Sequence, residues 1–264
     1  MNSYEKLKTA RKNGRPTGEA YIKEIFEFPF ELHGDRRFGD DLAIVGGVGF
    51  IDKHPVTFLA MEKGTDLQSR IAHNFGCPKP EGYRKALRLM KQAEKFHRPV
   101  ICFVDTSGAY PGADAEERGQ GQAIAESILE MMGLRTPVIS VIFGEGGSGG
   151  ALALASANKV FILENAVYSV ISPEGCASIL WKESSTENVA KAADCLHITA
   201  QDMKHFGVAE TIIREDFDHF DKMCAAMKLR LVDALEDLAE LDEDQIVEQR
   251  YQRFRSYGIF DEKK

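Results

Sequence analysis

One segment of this 264-residue chain constrains its fold more than any other. The apolar run from Val138 to Phe143 leads directly into Gly144-Glu145-Gly146-Gly147-Ser148-Gly149-Gly150, and Ala151-Leu152-Ala153-Leu154-Ala155 follows. The apolar run reads as a buried strand, and the small-residue stretch as a helix. Five glycines in seven residues remove side chains from the turn between them. The first N–H groups of a helix have no intrahelical acceptor, and they lie at the positive end of its dipole. Such a turn can hold an oxyanion, a phosphate or a nucleophilic serine. It can also serve only close strand–helix packing, as Ala151, Ala153 and Ala155 suggest.

Three chemistries compete for the turn. Gly146-Gly147-Ser148-Gly149-Gly150 satisfies the G-x-S-x-G pattern of a serine hydrolase, with Asp202 and His205, or Asp218 and His219, as triad partners. Those partners fall on helices or helix edges, and none follows a clear strand. A phosphate loop is weakly supported. No Lys-Ser/Thr follows the glycines, the spacing misses the dinucleotide fingerprint, and no acidic strand end stands about twenty residues on. The third reading is an oxyanion hole built from the N–H groups of Gly149 and Gly150. Removing one donor from such a hole costs about 3–4 kcal/mol of transition-state stabilisation.

The rest of the chain alternates strands and helices. Residues 16–26 carry a helical pattern interrupted at Phe28-Pro29-Phe30, and residues 31–41 form a charged loop, either a solvated connector or a cover over a site. Ala43 to Ile51 and Val56 to Met61 read as a hairpin turning at Asp52-Lys53-His54. Residues 62–80 read as irregular. From Glu81 to His97 the apolar spacing is helical, with Arg84, Lys85, Arg88 and Lys91 on a solvated face. Val100 to Val104 is a strand ending in Asp105-Thr106-Ser107-Gly108-Ala109, a polar strand end of the kind that lines sites in α/β proteins. A helix spans Ala115 to Met132. Short strands follow at 159–163, 168–171 and 208–213. Ser172 and Thr199 are placed to cap helices, and Gly207 to end one. Two amphipathic helices fill 217–257, with a stripe of Phe217, Phe220, Met223, Met227, Ala234 and Leu238. This rhythm is α/β.

Charge and cysteine usage exclude several classes. A formal charge of −8 argues against a chain built to grip nucleic acid. No apolar run approaches the roughly 20 residues of a membrane span, and Met1 to Arg15 lacks the apolar core of a secretory signal, so a cytoplasmic location is expected. The five cysteines are scattered without a Cys-x-x-Cys pair, so no metal site is expected in this chain, and Cys102 reads as plain core.

Several stretches closely resemble the α subunit of bacterial acetyl-CoA carboxylase carboxyltransferase. They are Gly64, Asn74-Phe75-Gly76, Pro80-Glu81-Gly82-Tyr83-Arg84-Lys85-Ala86, Gly108-Ala109-Tyr110-Pro111-Gly112, Glu116-Glu117-Arg118-Gly119-Gln120 and the glycine segment through Ala151. Tyr168 through Trp181 is specific to that family, and Arg250-Tyr251-Gln252-Arg253 with Ser256-Tyr257-Gly258 completes a match over roughly residues 11 to 258.

The resemblance implies a crotonase/ClpP-like α/β fold of repeated ββα units with C-terminal helices. The expected division is an N-terminal helical arm over 1–30, a carboxyltransferase core over 31–215 and a C-terminal helical segment over 216–264, all one domain. It implies transfer of a carboxyl group from carboxybiotin, tethered to the biotin carboxyl carrier protein, onto acetyl-CoA to form malonyl-CoA for fatty-acid synthesis. A separate biotin carboxylase subunit uses the ATP, and a zinc-ribbon β subunit completes an α2β2 heterotetramer. In that family the paired glycines, here Gly149 and Gly150, stabilise the ureido enolate of biotin. Gly108, Ala109, Gly146, Gly147 and Ser148 are then candidate site walls, and Ser148 need not be a nucleophile. The remaining alternatives are the serine hydrolase and a non-catalytic scaffold for a β subunit.

Overall fold

The computed structural model describes residues 1–258. It begins with two short helices, α1 (Ser3–Ala10) and α2 (Gly18–Ile25), followed by strand β1 (Glu27–Glu31). The hairpin β2 (Ile44–Ile51) and β3 (His54–Met61) pairs in register from Ile44 opposite Met61 to Ile51 opposite His54. Helices α3 (Leu67–Ala72) and α4 (Pro80–Lys95) lead to β4 (Val100–Thr106), then α5 (Ala113–Glu117) and α6 (Gln120–Gly133). Strand β5 (Val138–Gly147) runs straight into α7 (Ser148–Ala155). After it come β6 (Lys159–Leu163), β7 (Val167–Ser169), α8 (Pro173–Trp181), α9 (Thr186–Cys195), α10 (Ala200–His205) and β8 (Thr211–Ile213). Two longer helices, α11 (Phe220–Ala239) and α12 (Glu243–Arg255), close the described chain. The expected C-terminal segment also takes in residues 259–264, which lie outside the described residues.

One mixed sheet runs in the order β1-β2-β3-β4-β5-β6-β8, with β7 paired to the far end of β5. β1 to β3 are antiparallel, and β3 onward is parallel. Both central strands are buried along their whole length, as an apolar run covered by helices on two faces requires. Cys102 sits there as core, and burial pushes its thiol up to about 12. The stripe on α11 is buried at Met223, Met227, Ala234 and Leu238, with Phe217 and Phe220 packed against the same core.

Four local expectations change. The helix does end before Phe28-Pro29-Phe30, but the tripeptide is the middle of an edge strand, a place that tolerates a proline without an N–H. The stretch 62–80 holds the short helix α3, capped by Asp66, which accepts from Gln68 and Ser69. The helix expected over 115–132 is split at Gly119, whose φ of +81° no other residue type adopts as readily.

The fourth correction concerns the basic face of α4. It is not solvated. Lys85 is only 2% exposed, donating to Asp40 Oδ1 at 2.6 Å and to the Asp41 carbonyl at 2.8 Å. Arg84 donates to Asp35 at 2.7 Å and to Glu81 at 2.9 Å. These charges bind the 33–41 loop onto the helix, a pairing between residues some forty positions apart that helical periodicity does not register.

Asp35 also accepts from the backbone N–H groups of Arg37, Phe38 and Gly39. Burial alone would raise its pKa, but these donors and Arg84 outweigh burial and hold the carboxyl at about 2. The folded value lies below the ordinary 3.8, so the stabilisation is present above that pH and is lost as pH falls toward 2. Acid denaturation curves should show a loss on the order of 2 kcal/mol across that window. Asp35→Asn should be less stable at neutral pH and lose that part of the pH slope.

Candidate active site

The glycine segment is narrower as a turn than its sequence suggests. β5 stays extended through Gly147, and the helix begins at once with Ser148, whose φ is +52°. Four of the five glycines are explained by packing. A Cβ on Gly144 would overlap the Asp105 carboxylate, and one on Gly147 the Ser107 carbonyl. On Gly146 it would stand 2.5 Å from the Tyr168 ring. On Gly150 it would stand 2.7 Å from the Tyr83 hydroxyl and 2.8 Å from the Ala109 nitrogen.

Gly149 is different. The nearest atom to a Cβ there is Ile124 Cγ2 at 3.4 Å, an ordinary contact. Packing does not demand a glycine at this position, yet the residue is half-buried and lines a cavity of about 360 Å³. Leu152, Tyr168, Val170, Leu196 and Met203 make that cavity mainly apolar, and Ser148 stands at its edge. As the first three residues of α7, Ser148, Gly149 and Gly150 present N–H groups without intrahelical acceptors.

The Gly108–Ala109 turn after β4 packs against Gly150. Gly108 has φ +148°, and its N–H donates to Thr106 Oγ1 at 3.0 Å while that hydroxyl donates to the Gly108 carbonyl at 2.7 Å. The Ala109 N–H makes no hydrogen bond among the described residues. Gln120 fixes the turn from the side, donating to the carbonyls of Pro78 and Tyr110. Gly108, Ala109, Gly149 and Gly150 therefore meet at one junction, with Ser148 exposed at its rim. Gly146 and Gly147 lie behind it, buried in the strand.

A charged network that the sequence reading missed braces this junction. Asp105 pairs with Lys63 and accepts the Glu145 N–H at 2.8 Å. Glu145 takes two hydrogen bonds from Arg11, the C-cap of α1, at 2.6 and 2.8 Å, and Arg11 also reaches Glu174 at the start of α8. Burial disfavours the Arg11 charge, but the two carboxylates more than offset it and raise its pKa. On the other side, buried Glu81 accepts from both Arg84 and Arg118, joining α4 to the turn before α6. A carboxylate flanked by glycines, as Glu145 is, was the available signal, since nothing local shields it and a buried cation must come from elsewhere.

The hydrolase constellation does not assemble. No His or Asp hydrogen-bonds Ser148 among the described residues. Asp202 is used to cap α10, accepting from the N–H and hydroxyl of Thr199. His219 pairs with Asp216 at 3.1 Å rather than with Asp218. Among the described residues no group of three or more His, Cys, Asp or Glu could hold a metal ion, and no helix is long and apolar enough to cross a membrane.

The family model described as acetyl co-enzyme A carboxylase carboxyltransferase-like matches residues 1–258. The chain belongs to this family. A relative from Ruminiclostridium cellulolyticum, named acetyl-coenzyme A carboxylase carboxyl transferase subunit alpha, is 52% identical over 259 residues, covering 98% of this chain and 99% of its own. A Clostridium tetani relative named for subunits beta/alpha is 49% identical over 267 residues, covering 100% of this chain and 46% of its own. Among solved structures, that of transcarboxylase 12S superposes with a TM-score of 0.72 at 18% identity, over 88% of this chain and 42% of that one. The shared architecture is the crotonase-type α/β fold expected for a carboxyltransferase of this family.

Proposed function

We propose that this chain is the α subunit of an acetyl-CoA carboxylase carboxyltransferase, working in the cytoplasm to form malonyl-CoA for fatty-acid synthesis. The observation that carries the reading is Gly149, a glycine that packing does not require, at the start of a helix whose free N–H groups open on an apolar cavity. When bound, carboxybiotin would supply the carboxyl group and would present its ureido oxygen, with the charge left there, to this chain's donors. The Gly149 and Gly150 N–H groups would donate to that oxygen, while Leu152, Val170, Leu196 and Met203 would exclude water around it. An apolar wall beside two donors fits a small, largely apolar ring carrying one acceptor oxygen. Preformed donors in a water-excluded site stabilise such charge without reorganisation.

This wall lacks a general base. Tyr168 is the one titratable side chain lining the cavity among the described residues, and burial pushes its pKa well above the ordinary value. The chain therefore supplies positioning and electrostatics for one half of a site. The other half comes from a zinc-ribbon β subunit in an α2β2 assembly, which binds acetyl-CoA and stabilises the acetyl enolate. The biotin carboxyl carrier protein delivers the biotin, and a biotin carboxylase uses the ATP. The β/α relative, with both subunit names on one chain, supports this pairing. So does Val170 at the cavity rim, 75% exposed in this chain by itself.

Purified chain with and without a β subunit should be assayed for biotin-dependent decarboxylation of malonyl-CoA. Activity is expected only in the mixture, and full-rate transfer by the chain alone would overturn the half-site reading. In the same assay Ser148→Ala should keep most of its activity. A fall of a thousandfold or more, the order seen when a true nucleophile is lost, would revive the hydrolase.

A further inference from the structure

A second cavity lies at the same end of the sheet, between the N-terminal arm and the segment that follows β3. Its volume is about 120 Å³. Five cationic side chains line it (Arg11, Lys12, Arg15, Lys63 and Arg70), and no carboxylate does. Three of these charges are already balanced outside the cavity. Arg11 pairs with Glu145 and Glu174, Arg15 with Glu215, and Lys63 with Asp105. Lys12 and Arg70 have no ion pair among the described residues, and Arg70 Nε is buried without any acceptor. Buried donors are paired in native proteins, so the Arg70 Nε in an all-cationic cavity is a donor that an anion would satisfy.

We propose that this cavity binds a phosphoryl group. Two unbalanced positive charges match a dianion, and a guanidinium fork beside an ammonium is the donor set that tetrahedral oxyanions use. Lys63 links the occupant to the active site, because its partner Asp105 also receives the Glu145 N–H on β5. Occupation would therefore brace the strand that presents Gly149. The site is independent of the carboxyltransferase reading, since its occupancy is measured without turnover.

The test is equilibrium binding of radiolabelled inorganic phosphate to the full chain, alone and assembled with its β subunit, in chloride at matched ionic strength. One saturable phosphate per chain is expected, with a rise in thermal midpoint that chloride does not produce. Arg70→Met should abolish both, Arg70→Lys should keep part of them, and exposed Lys12→Met should weaken binding several-fold. The Lys12 variant carries the test if Arg70→Met fails to fold. Absence of saturable binding, or wild-type binding in both neutral variants, would overturn the proposal. So would displacement of phosphate by malonate at equal concentration, since the cavity would then be a carboxylate site. Displacement by coenzyme A but not by its 3′-dephospho form would identify a phosphate monoester as the source. Displacement by neither would leave free phosphate, and both results support the phosphoryl site.

Discussion

Gly149→Val is expected to cut carboxyl transfer on the order of 10²–10³-fold, the loss found when one oxyanion donor is removed, while leaving thermal unfolding nearly unchanged. The N–H remains, but the side chain would fill the mouth of the cavity and hold the acceptor oxygen away from it. The fold should tolerate the change, because a Cβ there meets only Ile124 at 3.4 Å. Gly150→Ala is the informative contrast. Its Cβ would press on Tyr83 and Ala109, so it should lose stability together with activity. Steady-state rates in the assembled enzyme, read beside calorimetric midpoints for both variants, separate the two effects. A Gly149→Val enzyme with wild-type rate would remove the oxyanion role. Equal destabilisation of both variants would reduce all five glycines to packing.

Arg250→Met should be the most destabilising single change in the C-terminal helices, by about 3–5 kcal/mol. The side chain is fully buried on α12. Its guanidinium donates to the carbonyls of Met131, Met132, Leu134 and Thr136 and to Asn158 Oδ1, at 2.6 to 3.2 Å. Those carbonyls end α6 and begin the approach to β5, so the arginine closes this loop, sharing the Met131 carbonyl with the Leu134 N–H. Burial lowers its own pKa to about 10, yet at neutral pH it stays charged, and charge-assisted hydrogen bonds are the stronger kind. Methionine keeps the stem and leaves several acceptors unpaired. The expected drop in melting temperature is on the order of 10 °C for a chain of this size, read by calorimetry. A shift within about 1 °C, the size of a neutral surface change, would show that water replaces the arginine without penalty.

These two sites show how unevenly the molecule could be read in advance. The strands and most helices were legible because their signals are local. Val100 to Val104 and Val138 to Phe143 are apolar runs bounded by proline and glycine, and Ser172 and Thr199 cap their helices as placed, accepting from Gly175 and Asp202. The edge strand at Phe28-Pro29-Phe30 was not legible, since its register depends on pairing with β2 rather than on its own pattern. The charges of α4 were misread for the same reason. Helical spacing put Lys85 and Arg84 on an outer face, but the 33–41 loop covers that face and pairs with them. The tail Arg250 and Arg253 could be recognised as a motif, but its physical task could not.

The chain by itself determined the alternation of strands and helices, the position of the strand-to-helix junction and the family to which that junction belongs. Each rests on near neighbours in sequence: apolar runs, glycine spacing and capping residues, whose energies act over one or two turns. Only the tertiary structure divided the five glycines by role. Four make room for Asp105, Tyr168, Ser107 and the Tyr83–Ala109 pair, and Gly149 alone faces a cavity. Space around a Cβ is set by atoms that arrive from residues 83, 105, 109 and 168, and no local pattern encodes their approach. The same holds for the Arg70 Nε, because whether a side chain has a partner is decided only when the fold has brought distant residues around it.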